Sequence, residues 1–237
     1  MRSYSYGWYS HRANKHMEFL HFGHAGAPVV VFPTSGGNQT EFPQQGMLDP
    51  IAWKIEHGFI QVFCVDTNNW EGWYNDHIHP RQKVEMHAGY EEYLIHEFLP
   101  HVRNVTGTGY LILMGISFGA FHTMNFALKH PEMVDRAICM SGSYSIKGFL
   151  DGYYDDLCYF NNPVDYIQNL HDPWYINMYN THTEITMVTS DLDVCLNRNI
   201  EMSDHLNAKG IRHNFYKWDG GYKHDWPYWK IMIPHYL

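Results

Sequence analysis

Gly109-Tyr110-Leu111-Ile112-Leu113-Met114-Gly115-Ile116-Ser117-Phe118-Gly119-Ala120-Phe121 decides how the rest of the chain is read. The first half is an apolar run opened by glycine, the mark of a buried strand. From Ser117 onward, Phe118, Phe121, His122, Met124, Asn125 and Leu128 recur at helical spacing until His130-Pro131, where proline ends the helix. The junction, Gly115-Ile116-Ser117-Phe118-Gly119, is a G-x-S-x-G pentapeptide between strand and helix. Such a turn is sharp and strained and exposes the serine hydroxyl, and side chains two residues to either side would collide with the neighbouring strand and helix. A glycine-rich turn with a serine helix cap is the plainer account of the same letters. The strand–turn–helix setting favours a nucleophilic serine.

Outward from that turn, strands and helices alternate. Met17 to Phe22 and Pro28 to Phe32 read as strands joined across Gly23-His24-Ala25-Gly26, which predicts an antiparallel start. Gly46 to His57 has helical spacing, Phe59 to Val65 is a strand, and Lys83 to Val102 is a long amphipathic helix. Beyond the serine turn come strands at Arg136 to Met140 and Glu184 to Thr189, a helix at Asn199 to Lys209, a strand at Ile211 to Trp218, and a last helix from Trp226. This order predicts one α/β domain over residues 1–237, with a mostly parallel central sheet and helices on both faces. In such sheets reactive groups collect at the carboxyl ends of the strands. Ser141 to Thr183 breaks the rhythm. Its many aromatic residues, set among Asp, Asn, Gly and Pro, predict a small cap of short helices over the site (residues 141–183), against the plainer account of a packing insertion.

Hydrophobic residues make up 45% of the chain and aromatics 16%, enough for a full core with aromatic-lined surface besides. A formal charge of −9 without any basic tract argues against nucleic acid or an anionic membrane as partner. No run approaches the ~18 apolar residues of a membrane span. Met1-Arg2-Ser3-Tyr4-Ser5-Tyr6-Gly7-Trp8 lacks the apolar stretch of a signal-peptide core. Cys64, Cys139, Cys158 and Cys195 are scattered with no C-x-x-C spacing, which reads as reduced thiols and a cytoplasmic location.

A serine nucleophile needs a base, a group that orients the base, and donors for the oxyanion. Asp191 and Asp193 follow the strand that ends in Val188-Thr189, at its carboxyl end, where an orienting carboxylate belongs. Only one of them can orient an imidazole, and the other is a turn or cap residue. His224, in Gly220-Gly221-Tyr222-Lys223-His224-Asp225-Trp226-Pro227, has a loop position after the last strand. Its downstream competitors, His205 and His213, fall inside a helix and a strand pattern. The oxyanion donors are the N–H of Phe118 and one from Phe32-Pro33-Thr34-Ser35-Gly36-Gly37, with Ser35 or Gly36 supplying it. Trp73 and Tyr74 follow a strand end and read as pocket walls, with rim packing as the alternative. Asp76-His77-Ile78-His79 and the group His16, His21 and His24 invite a metal reading, but neither has zinc-like spacing to a second cluster, and serine hydrolysis needs none. No metal and no cofactor is expected.

Together Val31-Phe32-Pro33-Thr34-Ser35-Gly36-Gly37, Gly115 to Ala120, Asp151-Gly152-Tyr153-Tyr154-Asp155-Asp156 and His224-Asp225-Trp226-Pro227-Tyr228-Trp229 resemble the putative-esterase branch of the α/β-hydrolase superfamily. That branch includes esterase D (S-formylglutathione hydrolase), feruloyl esterases and mycolyltransferases. The resemblance runs from about Glu18 to Leu237, and its most specific part is the serine turn combined with the H-D-W-P-x-W ending. It implies an α/β-hydrolase fold, Asp193 as the acid, and Tyr153 and Tyr154 among the substrate-binding residues. Ser190 departs from the pattern, standing where many relatives carry glycine, and Asp191 lies two residues before Asp193, so both carboxylates stay in play.

The expected function is a serine carboxylic-ester hydrolase that forms an acyl-enzyme on Ser117, with a small-molecule ester as partner. A homo-oligomer is compatible with it. Acyl transfer to an alcohol by the same triad is the alternative within enzymes, and a non-catalytic binding protein that retains the fold is the alternative outside them.

Overall fold

The computed structural model describes all residues 1–237. Eight strands form one sheet: β1 (Ser3–Ser10), β2 (Lys15–Phe22), β3 (Ala27–Phe32), β4 (Ile60–Val65), β5 (Ile112–Ile116), β6 (Arg136–Met140), β7 (Glu184–Leu192) and β8 (Asn214–Lys223). Their order is β1-β2-β4-β3-β5-β6-β7-β8. The pairs from β4 to β8 are parallel, whereas β1–β2 and β2–β4 are antiparallel. The chain has an α/β-hydrolase fold with a mostly parallel sheet.

The antiparallel start expected of β2 and β3 holds in direction but not in pairing. β2 and β3 run in opposite directions, but β4 lies between them and bonds to both. β1 was not anticipated. Its Ser3-Tyr4-Ser5-Tyr6-Gly7-Trp8-Tyr9-Ser10 carries few aliphatic residues, yet Tyr6 and Trp8 alternate onto the face that packs on Phe19 and Tyr93.

The helices divide over the two faces. α1 (Glu41–Gln44) and α2 (Ala52–Glu56) replace the single helix expected from Gly46 to His57. The break lies at Gly46, where φ is 68°, and at Asp49-Pro50, where a 3-10 turn begins. α3 (Pro80–Tyr93) and α4 (Leu99–Thr106) are joined by a π-helical turn at Leu94–Phe98, next to Pro100, which has no N–H to give the ladder. α5 (Phe118–Lys129) is buried on every side. α6 (Asp156–Tyr159), α7 (Pro163–Tyr166) and α8 (Pro173–Thr181) lie in the insertion, followed by α9 (Leu196–Ala208) and α10 (Trp226–Met232).

Alternation along each strand supplies both cores. Val30, Leu113 and Ala137 face α3, α4 and α5, while Val29, Val31, Ile112, Met114 and Ile138 face α2 and α10. No helix is long and apolar enough to cross a membrane.

Residues 141–183 carry the short helices α6, α7 and α8, and several of their rings are packing groups. Tyr144 and Tyr179 are buried, and their hydroxyls donate to Asn199 Oδ1 and to the Leu128 carbonyl. Tyr166 donates to Asn125 Oδ1. α7 and α8 thus pack on α5, α9 and β7 down one face of the sheet, while Ile146, Leu150 and Cys158 of α6 share a cluster with Phe118 beside the serine turn.

Candidate active site

Ser117 sits between the last residue of β5 and the first of α5, with φ 57° and ψ −117°. That is a backbone conformation L-residues adopt only at a cost, of order 1–3 kcal/mol, when the surroundings enforce it. The enforcement is visible at the flanking glycines. A Cβ on Gly115 would lie 2.0 Å from the Gly119 carbonyl oxygen, and one on Gly119 would lie 2.5 Å from the Phe32 carbonyl oxygen. The missing side chains therefore let α5 start against both β5 and the loop after β3, as the spacing of the pentapeptide requires.

His224 lies just after β8 and reaches back across the sheet's carboxyl edge. Its Nε2 is 3.0 Å from Ser117 Oγ, and its Nδ1 is 2.8 Å from Asp193 Oδ1. A carboxylate can only accept, so Nδ1 carries the proton and Nε2 is left to accept from the serine. The ring meets the face of Trp229 edge-on, with centroids 4.9 Å apart. Trp229 Nε1 donates to Ser141 Oγ at 2.8 Å, and Ser141 also bonds Asp193. Asp193 is buried and takes further N–H and O–H bonds from Cys195 and Thr189. Burial pushes its pKa up, but bonds from His224 and Ser141 prevail and hold it below the usual carboxylate value. Burial pushes His224 down, and the hydrogen bond and charge of Asp193 outweigh it, so the imidazole is held above its ordinary 6.5.

The two aspartates have different work. Asp191 accepts from the N–H groups of Gly220, Gly221 and Tyr222, pinning the glycine loop where β7 and β8 shift register. Asp193, past the end of β7 in a turn whose N–H bonds back to the Ser190 carbonyl, meets the histidine. His205 and His213 make other contacts: His205 pairs with Glu201 on its own helix, and His213 meets Ser203.

Phe118 begins α5, and the loop after β3 passes close by at Pro33; the Tyr74 hydroxyl lies near Ser35, and Trp70 Nε1 donates to the Gly36 carbonyl. Glu41 fixes the same loop by accepting from Thr34 N–H and Oγ1. Tyr74 stands at the rim, half-buried against Phe118 and Phe149. Trp73 does not: it is 1% exposed, sealed among Val84, Phe118, Phe121 and Leu150, and has no surface to offer a substrate. Tyr153 leans on His79 and donates to Asp155, and Tyr154 donates to Asp165, so both hydroxyls are engaged within the insertion.

Two of the histidines considered for a metal have scaffold contacts. His79 caps α3 in a capping box with Gln82, and His21 stacks on Phe63 and bonds Gln61. Asp193, Cys195 and His224 do offer three ligand atoms within 4.8 Å of one another, though Asp193 and His224 use theirs on each other. Sequence reasoning passed over Ser141, Thr189, Cys195 and Trp229. Of these only Trp229 left a trace, as the last residue of the H-D-W-P-x-W ending.

The "Putative esterase" family profile matches residues 24–236. The chain belongs to that family. It is an esterase of the α/β-hydrolase superfamily. No curated protein matches its sequence. Among solved structures it is similar to a ferulic acid esterase (17% identity, 99% of this chain and 95% of that chain covered, TM-score 0.77). It is also similar to an S-formylglutathione hydrolase from Agrobacterium tumefaciens (15% identity, 99% and 92% covered, TM-score 0.75). A third is the fluorophosphonate-binding serine hydrolase F of Staphylococcus aureus (16% identity, 99% and 96% covered, TM-score 0.71). At these identities the likeness carries the fold.

Proposed function

We propose that this esterase hydrolyses small carboxylic esters through an acyl-enzyme on Ser117, with His224 as general base and acid and Asp193 as the residue that orients it. The observation that carries the reading is the hydrogen-bonded series from Ser117 Oγ through both ring nitrogens of His224 to Asp193 Oδ1. His224 takes the hydroxyl proton as Oγ attacks the acyl carbon, then delivers it to the leaving alkoxide. Asp193 keeps the tautomer and stabilises the imidazolium that forms. The oxyanion receives the Phe118 N–H and one from Ser35 or Gly36. Water, deprotonated by the same histidine, then releases the acid. Tyr74, with Phe149, forms one wall of the entrance, and Tyr153 and Tyr154 border it farther out on the insertion.

Treatment with a fluorophosphonate followed by peptide mass analysis tests the nucleophile. The adduct is expected on Ser117, and Ser117→Ala should remain folded, take no label and lose turnover of p-nitrophenyl acetate by several orders of magnitude. In well-studied triads a residual rate of about 10³-fold over water survives such a loss. Label on another residue, or near-normal turnover by the folded Ser117→Ala protein, overturns the mechanism.

A further inference from the structure

Arg198 stands on the first turn of α9, beside the serine site, and no carboxylate pairs with it. Its Nη1 donates to Ser143 Oγ at 3.1 Å and lies 3.7 Å from Cys195 Sγ. Both neighbours belong to the frame of the site. The Ser143 N–H bonds the Ser117 carbonyl at 3.3 Å. Cys195 Sγ lies within 4.8 Å of ligand atoms of Asp193 and His224. Of the other six arginines, Arg12, Arg81 and Arg136 each find an acidic partner within 4.0 Å and Arg2, Arg103 and Arg212 do not, so Arg198 is set apart by its place beside the serine site. The Arg198 side chain is exposed, and a guanidinium has five N–H donors, so most of its fork is unspent on protein groups.

A simple tie between α9 and the loop after β6 does not account for this choice. One donor to a serine hydroxyl needs no charge. A cation on the first turn of a helix also works against the macrodipole, whose positive end is there. A charged residue that breaks a local rule and has no anionic partner in the protein is a candidate for a choice set by function. What satisfies an oriented, unpaired guanidinium is a planar anion taken bidentately, above all a carboxylate. Leu192, the last residue of β7, and Val194, in the loop that leads into α9, are 54% and 80% exposed and offer apolar contact to a short carbon spacer between ester and anion.

We propose that Arg198 determines specificity for esters that carry a carboxylate, seating that group while Ser117 attacks the ester carbonyl. The inference rests on the ester-hydrolase reading. The carboxylate belongs to the acyl part or to the alcohol part of the substrate, and two matched pairs separate these. Monoethyl succinate against ethyl succinamate places the charge, or its neutral amide counterpart, on the acyl side. Butyryloxyacetate against butyryloxyacetamide places it on the alcohol side. Acid release is followed by pH-stat titration, with p-nitrophenyl acetate run alongside as a neutral reference.

In one pair the wild-type enzyme should favour the charged ester by about tenfold or more in kcat/KM, the size of one hydrogen bond to a charged group. The gain should fall mainly on KM and shrink as salt is raised. Arg198→Gln should bring the ratio near one while p-nitrophenyl acetate turnover stays within about twofold, and Arg198→Lys should restore part of the ratio. Ser143→Ala, which cuts the tie and keeps the charge, should retain much of it. A wild-type ratio near one in both pairs, or equal losses on charged and neutral esters in Arg198→Gln, overturns the proposal and leaves the esterase reading standing. If Arg198→Gln does not fold, an unchanged ratio in Arg198→Lys counts against the bidentate seat. Absence of p-nitrophenyl acetate turnover by the wild-type protein strikes the parent reading, and this one with it.

Discussion

Replacing Gly115 by alanine puts a methyl carbon where the backbone of α5 already stands. The new Cβ would lie 2.0 Å from the Gly119 carbonyl oxygen, 2.1 Å from its carbon and 2.6 Å from Ala120 N, whereas real Cβ contacts essentially never fall below 3.0 Å. All three obstacles are main-chain atoms, so no side-chain rotation relieves them. β5 and the first turn of α5 must part by about 1 Å, and overpacking of this kind typically costs about 1–3 kcal/mol. In a chain of this size each kcal/mol moves Tm by about 2–4 °C, which gives a drop of roughly 2–12 °C. Ser117 is carried on the segment that must move, and a misplacement of about 1 Å at a reacting group costs on the order of 10²-fold in rate. Gly109→Ala is the matched control, because nothing lies within 4 Å of its Cβ position. Differential scanning fluorimetry and kcat/KM on p-nitrophenyl acetate read the two effects. Equal Tm and equal turnover in Gly115→Ala and Gly109→Ala would refute the claim that the glycine is there to let the serine turn close.

Asp193→Asn should lower ester turnover by about 10⁴-fold by favouring the wrong imidazole tautomer, while Asp191→Asn should cost much less because its bonds pin a loop; the larger loss falling on Asp191 would exchange the two roles. A base held above 6.5 is protonated and idle below its pKa, so kcat/KM should rise with pH along a limb centred above that value. Asp193→Asn removes the charge and the largest of the contacts that raise His224, leaving burial opposed only by Cys195, so the limb should move to lower pH, and a limb that does not move counts against the pairing. His87 is buried and held neutral, with its pKa lowered to about 4, so the unfolded chain binds its proton first as pH falls below 6.5. Its contribution to stability is fully present above 6.5 and is lost by about pH 4, up to roughly 3 kcal/mol; urea denaturation at pH 7 and 5 should show the drop, and His87→Gln should flatten it.

Local pattern and tertiary pairing divide what the sequence made legible. The serine turn could be read because its glycines are demanded by contacts within a few residues: Gly115 against Gly119, and Gly119 against the end of β3. The strand ends carrying Asp193 and His224 could be placed because period-2 runs stop at recognisable loops. β4 between β2 and β3 could not. Parallel β3–β4 pairing and antiparallel β2–β4 pairing are choices among strands far apart in sequence, and the short Gly23-His24-Ala25-Gly26 link looks the same whether or not its flanking strands bond.

The same division explains the two aspartates. Both lie at the carboxyl end of one strand, and nothing in the sequence pattern ranks them. They are told apart by what comes to meet them across the sheet: three glycine-loop N–H groups reach Asp191, and an imidazole reaches Asp193. The rings behave alike. Trp73 and Tyr74 are neighbours with one composition argument, yet one is sealed beneath Phe118 and the other lies at the rim, because successive residues in that turn face opposite sides. Tyr144, Tyr166 and Tyr179 likewise spend their hydroxyls on Asn199, Asn125 and Leu128. An aromatic-rich insertion therefore says that much surface needs covering, and the pairing of each polar tip decides whether a ring covers the protein's own core or stands open to a substrate. By that measure the exposed guanidinium of Arg198, which meets no acid in the fold, and the half-buried ring of Tyr74 are the groups whose substitution tests the substrate side of the proposed site first.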